Sequence, residues 1–333
     1  MKVRFAVAPP TGPFDADGLT SFALAAEELG FGTIWLSDVP MAPIGDPLLS
    51  LANLASRTNR LKLGANIVPI GRNPLILARQ LAQLDRLSHR RLLISFVPGV
   101  DQAGERAALG LPTGNRWTAV EQDVGLLRRW WSGQPVDHHD RRYEFDGITV
   151  GPTPIQDPLE IWFGGAGPRA LERVGRSADG WLTANMTPSE AATGRQRVLR
   201  HAEAAGRAID PEHFGISIPY ARHAVPADAA ATLRARRGKG DLTGIVPVGA
   251  TELVDLVERH VDAGLSKFVL RPVDQPDDAT AQLAWGRRHP PASDLTTPSV
   301  PPRSPGAGRA VRLEGPGRQA PVGAGPAARR CRS

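Results

Sequence analysis

An α/β fold, a (β/α)8 TIM barrel, is predicted by three features of this sequence. Eight apolar, β-branched runs recur along it, helical patterns separate them, and 333 residues suit one large barrel. The runs are continuous more than alternating, as strands buried on both faces of a parallel sheet require.

The strand candidates follow in order. VRFAVA begins at Val3, TIWLS at Thr33, KLGANIV at Lys62 and RLLISFV at Arg91. EIWFGG begins at Glu160, GWLTAN at Gly180, FGISIPY at Phe214 and KFVLR at Lys267. The first connecting helix, Asp17 to Leu29, carries Leu19, Phe22, Ala23, Ala26 and Leu29 on one stripe, with Gly30 at its C-terminal end. Pro74 to Leu87 repeats the pattern with a proline in the first turn, where the missing N–H is harmless. Trp117 to Trp131 and Thr251 to Val261 behave likewise.

Two connections exceed plain barrel units. PVDHHDRRYEFDGITVGPTPIQDP, between the fourth and fifth strands, reads as an excursion with a hairpin. The second lies between the seventh and eighth strands and includes RARRGKGDLTGIVPVG. Long insertions in a barrel are expected to build active-site walls.

Composition sets the domain boundary. The net charge is +6, but residues 289–333 hold seven Arg and no Lys against Asp294 and Glu314. That leaves residues 1–288 near neutral and gives the body no electrostatic footprint for nucleic acid. The tail also holds nine Pro, six Gly and no aromatic residue, so it reads as a disordered extension, with a nucleic-acid arm and the product of a shifted reading frame as the alternatives. The barrel is therefore assigned to 1–288. Cys331 is the single cysteine, which removes intrachain disulfides and fits a reducing compartment. No run is long enough to span a bilayer, and a cytoplasmic location is expected.

Several motifs carry candidate chemistry. Gly164, Gly165, Ala166 and Gly167 follow a strand, and Pro168 opens a helix. Bare backbone beside a helix N-terminus can cradle a phosphate, or the glycines can simply relieve a tight turn. Gly165, Gly167 and Ala170 also satisfy a dinucleotide fingerprint, but Asn185 stands where that motif needs an acid. Asp38 closes the second strand and can face the barrel mouth or cap a helix. Asn66 and Ser95 lie within the third and fourth strands and can line the mouth or be satisfied core polar groups. His138, His139 and Asp140 read as a solvated turn before a metal site.

The segments AEELGFGTIWLSD, TNRLKLGANIVPIGRNPLILARQLAQLDRLSHRRLLISFVPG and PLEIWFGGAGPRALERVGRSADGW, in that order, resemble the bacterial-luciferase-like flavin-dependent oxidoreductases. Within that family the chain looks most like members that use the deazaflavin coenzyme F420. The resemblance implies a cofactor ring at the C-terminal mouth, with ring contacts at Asn66, Ile67, Val97, Pro98 and Gly99. It implies a bulge or non-prolyl cis peptide between Asn66 and Pro69, and a phosphate anchor at Gly164, Gly165, Ala166 and Gly167. Asp38 matches the acidic residue near the reactive face, while Val39 stands where many members have His. Arg90 replaces a usual glycine before the fourth strand.

The expected activity is hydride transfer between F420 and a small organic substrate. The alternatives are an FMN-dependent monooxygenase on the same barrel and a catalytically silent flavin-binding barrel. Asp38, Glu105 and Arg116 are the candidate catalytic residues, with Glu105 and Arg116 toward the substrate. Arg72 and Arg116 are candidates to meet the acidic tail of F420. A small-molecule substrate is expected, no nucleic acid or membrane partner is, and a homodimer is kept open.

Overall fold

The computed structural model describes residues 1–10, 15–99, 104–110, 115–238, 241–274 and 283, all within one compact unit, Met1–Leu295. The tail 289–333 and the expectation of its disorder lie outside the described residues. In chain order the strands are β1 (Arg4–Val7), β2 (Thr33–Ser37), β3 (Lys62–Ile67), β4 (Leu92–Phe96), β5 (Val136–His139) and β6 (Glu144–Ile148). They continue as β7 (Ile161–Phe163), β8 (Gly180–Ala184), β9 (Phe214–Tyr220) and β10 (Lys267–Pro272). Eight of them close a parallel barrel in the order β1-β10-β9-β8-β7-β4-β3-β2, and these are the eight runs read from the sequence.

The helices are α1 (Ala16–Glu28), α2 (Pro47–Arg57), α3 (Pro74–Leu87), α4 (Glu105–Ala108) and α5 (Arg116–Trp131). After them come α6 (Pro168–Ser177), α7 (Pro188–Ala204), α8 (Ala227–Arg237) and α9 (Gly249–Asp262). Local chemistry fixes their starts. The side chains of Asp15, Asp46, Asn73 and Asn115 each accept a first-turn backbone N–H, and α2, α3, α6 and α7 carry proline in the first turn. Among the described residues no helix is long and apolar enough to cross a membrane.

Two cores result. The larger one lies between sheet and helices and gathers residues such as Leu51, Leu63, Phe96, Phe163 and Phe214. The smaller one fills the barrel bore with Ala6, Trp35, Leu182 and Val269, against which Leu93 and Trp162 pack. The two indoles lie across the bore only because glycines face them. A Cβ on Gly64 would sit 2.6 Å from Trp35 Cζ3, and one on Gly180 would sit 2.5 Å from Trp162 Cδ2.

Arg90 has φ of +66, so it occupies a left-handed position that glycine adopts freely. The next residue anchors the turn. Arg91 donates to the carbonyls of Ser88, Leu61 and Ala55 and to Thr58 Oγ1 at 2.7–2.9 Å.

The excursion after β4 contains the expected hairpin, β5–β6, but it does not wall the barrel mouth. It follows α5, so it belongs to a helix-to-strand connection at the opposite end of the barrel from the strand-to-helix loops. There Trp130 Nε1 donates to the Ile148 carbonyl at 3.0 Å, and Arg142 pairs with buried Asp123 at 2.9 Å. His138 and His139 pair with Asp140 and Asp146, and no metal-binding cluster occurs among the described residues. The connection after β9 does reach the mouth, through the end of α8.

Candidate functional site

The C-terminal ends of the barrel strands surround a cavity of ≈ 1240 Å³. Its floor is the bore plug of Trp35 and Leu182, ringed by Ser37, Asn66, Ser217 and Arg271. Side chains alternate along each strand, so Trp35 and Ser37 on β2 share the inner face, as do Val269 and Arg271 on β10. The wall includes the backbone from Gly164 to Gly167, Val97, and the first turns of α7.

The glycine segment is a turn that only glycine can make at its centre. Gly165 has φ of +104, and a Cβ there would lie 2.7 Å from Ala170 Cβ in α6. The carbonyl of Gly165 accepts a hydrogen bond from Trp181 Nε1 at 2.8 Å. A trans peptide sets the Ala166 N–H opposite to that carbonyl, away from the buried indole. Gly167 is the N-cap of α6 and offers no capping side chain, so the helix N-terminus stays open to an exogenous anion.

Asn66, Val97, Gly164, Gly165, Ala166 and Gly167 all line the cavity. Asp38, Ile67, Pro98, Gly99, Glu105 and Arg116 do not appear among its described lining residues. The Asp38 carboxylate turns sideways, accepting the Val68 N–H at 3.0 Å and pairing with Arg72 at 2.9 Å. Arg72 also pairs with Asp46 at 2.8 Å. Burial opposes the Arg72 charge, but the hydrogen bond to Asp46 and the attraction of Asp38 prevail and raise its pKa. Arg72 is thus neutralised by two acids and is no longer a spare cation for an acidic cofactor tail.

Glu105 and Arg116 are brought together, but as a buried pair. Their 2.7 Å contact lies behind the β4 turn, and the Arg116 guanidinium also donates to the Pro98 carbonyl at 3.2 Å. Gly99, at φ of +79, passes directly over this pair, 3.4 Å from Arg116 Nη1 to a notional Cβ. The pair shapes the turn and does not face the cavity, which corrects its expected position toward substrate.

The backbone between Asn66 and Pro69 also differs from expectation. The register of β3 with β4 runs unbroken through Ile67, and the Ile67 carbonyl accepts the Val97 N–H at 3.0 Å. Among the described residues the cis bonds are Gly151–Pro152 and Asp157–Pro158, so 66–69 holds no cis peptide. Regular pairing through Ile67 leaves no extra residue to bulge within β3.

A model of the luciferase-like monooxygenase family matches residues 1–326. The chain belongs to that family. As a luciferase-like protein it is an oxidoreductase built on the barrel expected from its sequence. It is 26% identical over 243 residues to a 5,10-methylenetetrahydromethanopterin reductase of Methanolobus tindarius, an alignment covering 73% of this chain and 70% of the relative. It is 29% identical over 223 residues to an F420-dependent glucose-6-phosphate dehydrogenase of Nakamurella multipartita, covering 62% and 64% respectively. In fold it is similar to an F420-dependent secondary alcohol dehydrogenase solved with an F420-acetone adduct. The TM-score is 0.75 at 18% identity, with 88% and 99% of the two chains covered.

The luciferase-like barrel also has cavity residues that sequence reasoning passed over: Ser37, Ser217, Arg197, Arg236, Arg237 and Arg271. The readable signal is an arginine at the mouth end of the eighth strand, the last residue of KFVLR. The dinucleotide alternative fails on topology, because the strands close into a barrel and leave no crevice of an open sheet.

Proposed function

We propose that this barrel transfers hydride between coenzyme F420 and a small organic substrate. The observation that carries the reading is the glycine cradle at Gly164 to Gly167, opening on a cavity of ≈ 1240 Å³. A Cβ would fill the turn at Gly165, and the open end of α6 suits the phosphate of a flavin-type cofactor. The relatives named as F420-dependent support the deazaflavin over FMN.

When bound, the deazaflavin supplies the hydride chemistry, and the protein supplies binding, orientation and electrostatics. The amides of the 164–167 segment and the N-terminus of α6 would hold the phosphate. Trp35 and Leu182 close the bore and would keep bulk water from reaching a bound cofactor through it. Asn66 and Val97, which line the cavity on the β3–β4 side, would contact the ring. Asp38 acts as a positioning residue: it ties the Val68 amide to Arg72 and so fixes the loop that carries Val39 beside the cavity.

Titration of the purified protein with F420, and separately with FMN, followed by fluorescence, tests this. Saturable F420 binding without FMN binding is expected. Binding of FMN alone favours the monooxygenase reading and overturns this one. Binding of neither leaves a silent barrel.

A further inference from the structure

The charges around the cavity do not balance. Among its described lining residues are four arginines, Arg197, Arg236, Arg237 and Arg271, against the single carboxylate of Glu190. Glu190 is already engaged, pairing with Arg237 at 3.2 Å and closing a capping box with Thr187 at the start of α7. Arg197 and Arg236 are exposed at the rim, where water solvates them. Arg271 stands apart from all three because it lies at the floor.

Arg271 Nε donates to Ser217 Oγ at 3.3 Å, and Nη1 donates to Ser37 Oγ at 3.1 Å. Among the described residues no carboxylate pairs with it. Burial, with a smaller contribution from the Arg236 charge, pushes its pKa down to about 10. A cation held in surroundings that oppose its charge costs the fold stability unless an anion joins it. The two serines complete a donor set. Each hydroxyl oxygen accepts from the guanidinium and keeps its own O–H to donate elsewhere.

We propose that Arg271, Ser37 and Ser217 form an oxyanion subsite at the cavity floor that receives a carboxylate or phosphate ester of the substrate. The same oxyanion chemistry is present in the phosphate of the cofactor, and topology separates the two sources. The cradle follows β7, whereas Arg271 is on β10, and both β8 and β9 lie between them in the barrel wall. Three strand steps of about 4.8 Å put the sites roughly 14 Å apart along the wall. The assignment to substrate rests on the reading that the cradle takes the cofactor.

The test is calorimetric titration of inorganic phosphate into protein saturated with F420, so that the cradle is filled. The wild type is expected to bind phosphate, and Arg271→Gln to bind it about tenfold more weakly or worse, a difference of about 1.4 kcal/mol. Arg271→Lys keeps the charge and is expected to recover part of the affinity. F420 affinity stays unchanged in both variants. Because no carboxylate among the described residues pairs with the charge, ligand-free Arg271→Gln is expected to melt no lower than the wild type, which separates a binding role from a structural one. Absence of phosphate binding in the wild type, or equal binding in Arg271→Gln, overturns the subsite. Loss of F420 affinity in Arg271→Gln makes the anion the cofactor's own and overturns the assignment to substrate. A failed cofactor reading shows itself differently. The wild type then does not take F420, while phosphate titrated directly still distinguishes wild type from Arg271→Gln.

Discussion

Replacing Gly165 by alanine perturbs the cradle at its most constrained point. The residue sits at φ of +104, and a non-glycine residue in such a conformation costs about 1–3 kcal/mol. The new methyl also meets Ala170 Cβ at 2.7 Å, far inside the about 3.5–4.0 Å optimum for two carbons. Together the two effects amount to roughly 2–4 kcal/mol, and the chain relieves them by rotating the turn or displacing the first turn of α6. Either movement shifts the amides proposed to hold the phosphate. If about half of the strain is expressed there, cofactor affinity falls by about tenfold, since each 1.4 kcal/mol is one decade. The remainder lowers Tm by about 2–8 °C for a domain of this size. Fluorescence titration and thermal melting measure the two separately. Adding Ala170→Gly removes the contact but not the φ strain, so the double variant is expected to recover part of the Tm and not all of it. A Gly165→Ala protein that binds cofactor and melts like the wild type would refute the reasoning.

Two further predictions concern buried charge. Glu105→Gln removes the carboxylate that meets Arg116 at 2.7 Å in a buried ion pair and is expected to cost about 3 kcal/mol, read as a lower midpoint in urea. Replacing both members by methionine is expected to restore most of that stability, which a site acting directly on substrate does not require. His260 is fully buried, and neither ring nitrogen has a hydrogen-bond partner. Burial, helped by the Arg259 charge, pushes its pKa from 6.5 down to about 4. Below pH 6.5 the unfolded imidazole takes up a proton that the folded one refuses, so stability is lost as pH falls from 6.5 to 4. The loss is about 3 kcal/mol, and His260→Leu is expected to abolish it in denaturant titrations across that range. Asp123 acts in the opposite sense. Burial, only partly offset by Arg142, raises its pKa to about 6, so its contribution improves as pH falls toward 4. Comparing wild type with His260→Leu cancels the Asp123 part, and equal acid sensitivity in the two proteins would contradict the His260 assignment.

The sequence by itself determined the strands, several helices and the glycine turn. Continuous apolar runs and a stripe such as Leu77, Leu81 and Leu84 encode local periodicity, and periodicity survives without knowledge of neighbours. Pro74–Leu87 is bounded in the sequence by the same residues that bound α3. Charge pairing was not legible in this way. Asp38 meets Arg72 across 34 residues, and Glu105 meets Arg116 around a turn whose path no local rule specifies. An acid at the end of a barrel strand can face the mouth or its neighbouring loop, and the sequence reads the same in both cases. Arg271 makes the point from the other side. In strands buried on both faces, hydrophobic alternation cannot say which side chains enter the bore, so its place beside Ser37 and Ser217 emerges only when β2, β9 and β10 close around one axis. The sequence determined that this chain makes a barrel with a bare backbone turn. Only closure of the barrel decided which charges are spent on the fold and which are left facing the cavity.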